Sequence, residues 1–179
     1  MIKLIYYVFV AVVLGSGAAA YADENTQQIQ PKDLKSFFSV LTYKVKANEG
    51  LSFDDVVMSM RQRANKINLK MVGINPLWRE VTAATGKPTP RVEIYSFCDA
   101  LVARDLMDYS FESIIFMPCR IGVAEDSDGK IWLMMLNWNW DWIERMTKDD
   151  PISPSLGKKI RRLIDSLTDV MQAGASGHL

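Results

Sequence analysis

The chain has 179 residues, 49% of them hydrophobic, with 21 Lys and Arg balanced against 21 Asp and Glu. A formal net charge of zero leaves no global field to hold a polyanion, so nucleic acid is not an expected partner. A single histidine, His178, and two cysteines, Cys98 and Cys119, exclude a His-rich zinc centre, a Ser-His triad and a covalent c-type haem, and no cofactor is expected.

The opening "MIKLIYYVFVAVVLGSGAAAYADEN" has the form of an export signal. Lys3 supplies the basic start, Leu4 to Leu14 the apolar core, and Ala20-Tyr21-Ala22 the small-residue approach to a cleavage expected before Asp23. The apolar core is too short to span a bilayer, and no later stretch is long and uncharged enough to do so, so a periplasmic protein without a transmembrane segment is expected. No cysteine follows the signal to carry a lipid anchor. Cleavage would leave 179 − 22 = 157 residues, with 20 basic against 21 acidic groups once Lys3 is lost, enough for one domain.

Residues 23–36 are polar and aperiodic and read as a flexible lead-in, with a single α+β domain over 37–172 and a loose tail over 173–179. "FFSVLTYKVKA" (37–47) reads as a first strand. "LSFDD" opens a helix, because Ser52 and Asp55 have capping-box spacing ahead of Val56, Val57, Met60, Ala64 and Ile67. "LKMVGI" (69–74) is a second strand, stopped by Asn75-Pro76, and "LWREVTAAT" a short helix ending at Gly86. "RVEIYSFCD" (91–99) alternates, placing Cys98 on the face of Val92 and Ile94. "ALVARDLMDYS" is helical by propensity, and "ESIIFMPCRIGVAED" is a strand on which Ile115, Met117, Cys119, Ile121 and Val123 share a face. Pro118 within it suggests an edge or a bulge.

"SDG" turns the chain into "KIWLMMLNWNWDW" (130–142), an antiparallel partner. If that strand is continuous, Trp132, Trp138, Trp140 and Trp142 share one face, unless it gives way to a helix near Asn139. The last element, "PISPSLGKKIRRLIDSLTDVM", sets Leu156, Ile160, Leu163, Ile164, Leu167 and Met171 opposite the basic "KKIRR". The order β-α-β-(short α)-β-α-β-β-α implies an α+β domain, an antiparallel-rich sheet with helices packed on one face. The other face is left to solvent, a ligand or another subunit.

Three stretches, "LSFDDVVMSMRQRANK", "VEIYSFCDALVARDLMDYS" and above all "IIFMPCRIGVAEDSDGKIWLMML", resemble the family called domain of unknown function 302. The resemblance covers roughly residues 37–136, and "PCxxxVxED" is its most specific piece. It implies a TATA-binding-protein-like α+β fold that dimerises through its sheet, so a homodimer is expected, and it implies no reaction. By position, Cys98 and Cys119 match the family's two recurrent cysteines, Pro118 its proline, and Glu125 and Asp126 its acidic turn. Asp99 and Arg120 stand where the family has asparagines, and "NWNWDW" is not part of its pattern.

Three fates are open for the cysteines. They are small buried hydrophobes, or a disulfide worth on the order of 3 kcal/mol for a loop of about 20 residues, or a functional thiol pair for redox or sulfur chemistry. Arg120 beside Cys119 would favour thiolate, although strand neighbours point to opposite faces. Cys98, Met117 and Cys119 are also a weak candidate set for a soft metal such as Cu(I). The tryptophans Trp132, Trp138, Trp140 and Trp142 are candidates for docking a protein partner or small ligand. The leading expectation is an exported accessory or binding protein without catalysis of its own. The alternatives are a periplasmic thiol redox protein using Cys98 and Cys119, and a copper carrier.

Overall fold

A computed structural model describes residues 32–149 and 151–178; the expected export signal, the expected cleavage point and most of the polar lead-in lie outside the described residues. Helix α1 (Leu34–Val40) comes first, where the start of a strand is expected from residue 37. Asp33 caps it by accepting from Ser36 N at 2.7 Å, and the helix takes up the end of the lead-in. The strand proper, β1 (Thr42–Lys46), follows at once.

Helix α2 (Phe53–Lys66) begins with the expected capping box. Asp55 N donates to Ser52 Oγ at 3.1 Å, and Ser52 N to Asp55 Oδ2 at 2.9 Å. Strand β2 (Lys70–Asn75) ends against Pro76, and α3 (Leu77–Thr85) closes on Gly86, whose φ of 65° suits glycine. Strand β3 (Val92–Cys98) runs into Asp99, which accepts from Leu101 N and Val102 N and so starts α4 (Ala100–Tyr109).

The next segment departs from expectation. Phe111–Phe116 form a 3-10 turn, and strand β4 begins only at Cys119 (Cys119–Glu125). Pro118 has no N–H for a ladder and stands just ahead of the strand, after a cis Met117–Pro118 peptide. Only Cys119, Ile121 and Val123 of the expected row share its inner face. Neither an edge nor a bulge is found there: β4 is the middle strand of five, and the register shift lies between Met71 and Gly73 of β2.

Strand β5 (Ile131–Leu136) pairs with β4 through a turn held by Asp126, which accepts from Asp128 N and Lys130 N. Helix α5 (Trp140–Met146) and the long α6 (Pro154–Ser176) complete the chain. The tail expected to be loose from residue 173 is helical to Ser176. The stripe continues through Met171, Gly174 and Ala175, all buried.

The sheet is antiparallel throughout, in the order β1-β5-β4-β3-β2. Its buried residues fall at one parity, in the rows Tyr95 with Ile121 and Leu133 with Val123, the latter row continued by the partly buried Val45. Helices α2 and α6 close over that face, burying Val56, Met60, Leu167 and Val170 against it. Each such side chain contributes about 1.5–3 kcal/mol by leaving water. The opposite face carries Ile94, Gly122, Met134 and Leu136, none of them buried. From Asp33 onward the chain forms one compact unit.

Candidate functional site

At one end of the sheet, where β3 stops and β4 starts, the strands no longer meet the helix layer directly. An apolar cavity of about 200 Å³ is left between the 3-10 turn, α4, α5 and α6. Phe97 and Cys119 form its floor, and Leu106, Phe116, Leu163 and Leu167 are among its walls. Its size follows from the sequence: Pro118 delays β4, the 3-10 turn fills the gap in the chain, and the small Ala103 faces the space from α4.

Cys98, Met117 and Cys119 all line this cavity, and both cysteines are free thiols. Cys98 keeps the expected parity with Val92 and Ile94, off the buried row of Tyr95 and Phe97, but lies at the strand end beside Asp99. Burial pushes the Cys119 thiol up to about 11, with a smaller push from Cys98, and the pull of Arg120 does not offset them. Arg120 does pull towards thiolate, as expected, but desolvation outweighs it: Arg120 is exposed while Cys119 packs against the core. Among the described residues, no three His, Cys, Asp or Glu gather for a metal ion. Two thiols and a thioether in one wall suit only a soft cation.

The tryptophans do not form one face. Asn139 accepts from Trp142 N at 2.9 Å and starts α5, so the alternation ends with Leu136. Trp132 lies on the outer sheet face, with Lys44 Nζ 3.7 Å from its ring centroid and its Nε1 donating to Asp126 Oδ2 at 2.8 Å. Trp138 instead turns into the cavity wall and packs edge-on against Phe116, centroids 5.8 Å apart. Trp140 donates to Glu144 and lies under Arg161, whose guanidinium is 4.2 Å from its ring centroid. Trp142 is half-exposed. The basic residues of α6 are solvated, and Lys159 and Arg161 pair with Asp105 and Glu144.

The domain of unknown function DUF302 model matches residues 43–170. The chain belongs to this family. Among solved structures, the DUF302 chain is similar to an uncharacterised conserved DUF302 protein from Bacillus stearothermophilus. The two are 11% identical with a TM-score of 0.59, and the match covers 74% of this chain and 97% of that one. That likeness carries the α+β fold, with its five antiparallel strands. No curated protein matches the chain. Cys98 and Cys119 both reach the cavity, and Asp126 has a structural duty in the turn between β4 and β5.

The residues missed from sequence are the cavity's other walls, notably Ala103, Ser113, Leu163 and Ile164. Leu163 and Ile164 read as part of a core stripe, which they are by periodicity. Nothing in the stripe says that the strand beneath them begins late.

Proposed function

We propose that this DUF302 protein is an exported binding protein without catalysis of its own, which takes a small apolar ligand into the cavity beside Cys119. The observation that supports it is the cavity itself: about 200 Å³, walled by side chains from four helical segments and the sheet end, with Trp138 and Phe116 among them. An apolar cavity of roughly 150 Å³ is known to stay dry and to take benzene, so a ligand of single-ring size fits the space. The uncovered face with Ile94, Met134 and Leu136 supports a homodimer joined through the sheet, which a solution mass of two chains would bear out.

The test is titration of the purified protein with toluene, followed by the methyl NMR signals of Ile160, Leu163 and Leu167. Saturable shifts are expected, and Ala103→Phe, which fills the cavity, should abolish them. Unchanged signals in the wild type, or equal shifts in the variant, overturn the reading.

The presence of both cysteines in one wall supports a second reading, a thiol redox protein. It comes second because Cys119, ionising only near 11 against an ordinary 9.0, is roughly a hundredfold poorer in thiolate at neutral pH than an exposed thiol. Iodoacetamide should accordingly label Cys119 slowly at pH 7 and progressively faster as pH rises toward 11. Fast labelling at pH 7 would restore the thiol reading to first place.

A further inference from the structure

Helix α1 is amphipathic, and its apolar side faces outward. Leu34, Phe37, Phe38 and the C-capping Leu41 fall at i, i+3, i+4 and i+7, the spacing of one helical stripe, with Lys35, Ser36 and Ser39 on the other side. Such a stripe ordinarily packs against the domain that carries it. Here no side chain of the helix is buried: Leu34 is 66% exposed, Phe38 58% and Phe37 43%, with the two phenyl rings side by side, centroids 6.0 Å apart. The helix is tied to the domain at its end, where Asn137 donates from N to Leu41 O at 2.8 Å and from Nδ2 to Val40 O at 3.3 Å. Uncovered large apolar side chains gathered in this way mark a surface that meets a partner.

The charges around the stripe select the partner. Lys32 and Lys35 flank it, both exposed, and neither pairs with a carboxylate among the described residues. The one acid of the helix start, Asp33, is occupied as its cap. On β1, the strand that α1 packs against, Lys44 lies over Trp132 and Lys46 stands 3.5 Å from Glu49, so this edge of an otherwise neutral chain is basic. A second copy is a poor cover for the stripe, because pairing it with itself about a twofold axis would bring the lysines of both copies together with no free acid between them. Exposed phenylalanine and leucine beside unpaired lysines suit an anionic lipid surface instead, the rings entering the boundary of headgroups and acyl chains and the ammonium groups meeting phosphates. No helix of the described residues is long and apolar enough to cross a membrane, and two turns reach only the interface.

We infer that α1 is a membrane-docking element, which seats Leu34, Phe37 and Phe38 in the interface of an anionic bilayer and sets Lys32 and Lys35 on its phosphates. This surface is separate from the cavity, which no residue of α1 lines, so membrane docking goes beyond ligand binding and stands without it. A small apolar insertion and a short basic flank are each weak alone; together they give reversible attachment that salt weakens.

Co-sedimentation with lipid vesicles tests this, using the chain from Asp23, which keeps the whole compact unit and leaves out the apolar stretch Leu4 to Leu14. The wild type should bind vesicles of equal parts phosphatidylglycerol and phosphatidylcholine, bind phosphatidylcholine alone roughly tenfold more weakly, and be released by added salt. A double variant Phe37→Ser with Phe38→Ser, and another Lys32→Gln with Lys35→Gln, should each lose roughly tenfold on the mixed vesicles. Their melting temperatures should match the wild type, because none of the four side chains is buried. Absence of wild-type binding, equal binding to both lipid compositions, or full binding by the serine variant overturns membrane docking. If the wild type ignores vesicles and the serine variant has half its solution mass, the stripe is covered by a second copy instead. Toluene binding should be the same in every variant, so failure of either reading leaves the other standing.

Discussion

Glu93→Ala is expected to lower the stability of the fold by about 3 kcal/mol, the low end of the cost of removing one partner from a buried pair. Glu93 is a charged residue in the buried row of β3, only 7% exposed. Its carboxylate accepts from Arg91 Nε at 2.9 Å, from Trp78 Nε1 at 3.3 Å and from the Tyr95 hydroxyl. Arg91 in turn reaches Asp54 Oδ1 at 2.8 Å and lies over Phe53, so the network ties β3 to α2 and α3. Truncation would leave Tyr95, 1% exposed, with a buried hydroxyl and no acceptor. The low end applies because the Arg91 side chain is a third exposed and keeps Asp54. For a chain of this size a melting temperature lower by roughly 10 °C follows.

The same residue sets a pH dependence. Burial alone pushes the Glu93 carboxyl up, but the hydrogen bonds from Arg91, Tyr95 and Trp78 together outweigh it and hold the carboxyl below its ordinary 4.5. A carboxyl depressed by folding contributes stability that is present above its unfolded value and lost as pH falls through the folded one. Stability should therefore decline below about pH 4.5 in the wild type, and less steeply in Glu93→Gln. Thermal melts between pH 3 and 7 check both points. A Glu93→Ala variant within ~0.5 kcal/mol of wild type would show that the network is not tight in solution.

Glu93 also marks the limit of what the sequence displays. The alternation of "RVEIYSFC" shows two faces but not which is inner, and a glutamate among the candidates argues for the wrong one. Only the partners Arg91, Trp78 and Tyr95, from three separate positions, make the face with a charge the buried face. Local chemistry was legible: the Ser52 and Asp55 box, the Gly86 stop and the Pro76 break each act within four residues, and each element ends where its residues say. The cavity was not legible, because it is a misfit between elements distant in sequence. Ala103, Ser113 and Leu163 are unremarkable one at a time, and the space appears only when β4 begins late under α6. The tryptophan row ends where the alternative expected from sequence, a helix near Asn139, takes over. Asn139 is a good helix cap, and in "NWNWDW" capping competes with alternation and wins.

The same substitution at two points of α6 should have opposite effects. A Cβ on Gly174 would stand 2.5 Å from Met60 Cγ, 2.9 Å from Leu133 Cδ2 and 3.3 Å from Val56 O. Met60 and Leu133 are fully buried, so neither can swing into solvent, and the Val56 carbonyl belongs to the α2 backbone. Gly174 thus fixes how closely α6 approaches α2 and β5. Gly174→Ala gains about 1 kcal/mol of helix propensity but forces a separation of packed elements, with overpacking costs of about 1–3 kcal/mol. A net loss is expected, larger for Gly174→Val, where two further carbons meet the same atoms. At Gly157 the added Cβ would find only the Trp140 ring, 3.5 Å away at ordinary contact distance. There the propensity gain is unopposed, and Gly157→Ala should stabilise by about 0.5 kcal/mol, the first-turn position reducing the full benefit. Denaturant midpoints of the two alanine variants decide the matter. Opposite signs mean that the α6 to α2 contact is as close as the buried Met60 and Val56 require, whereas a stabilised Gly174→Ala would mean that the helix pair has room to give and that the cavity at its other end is equally adjustable.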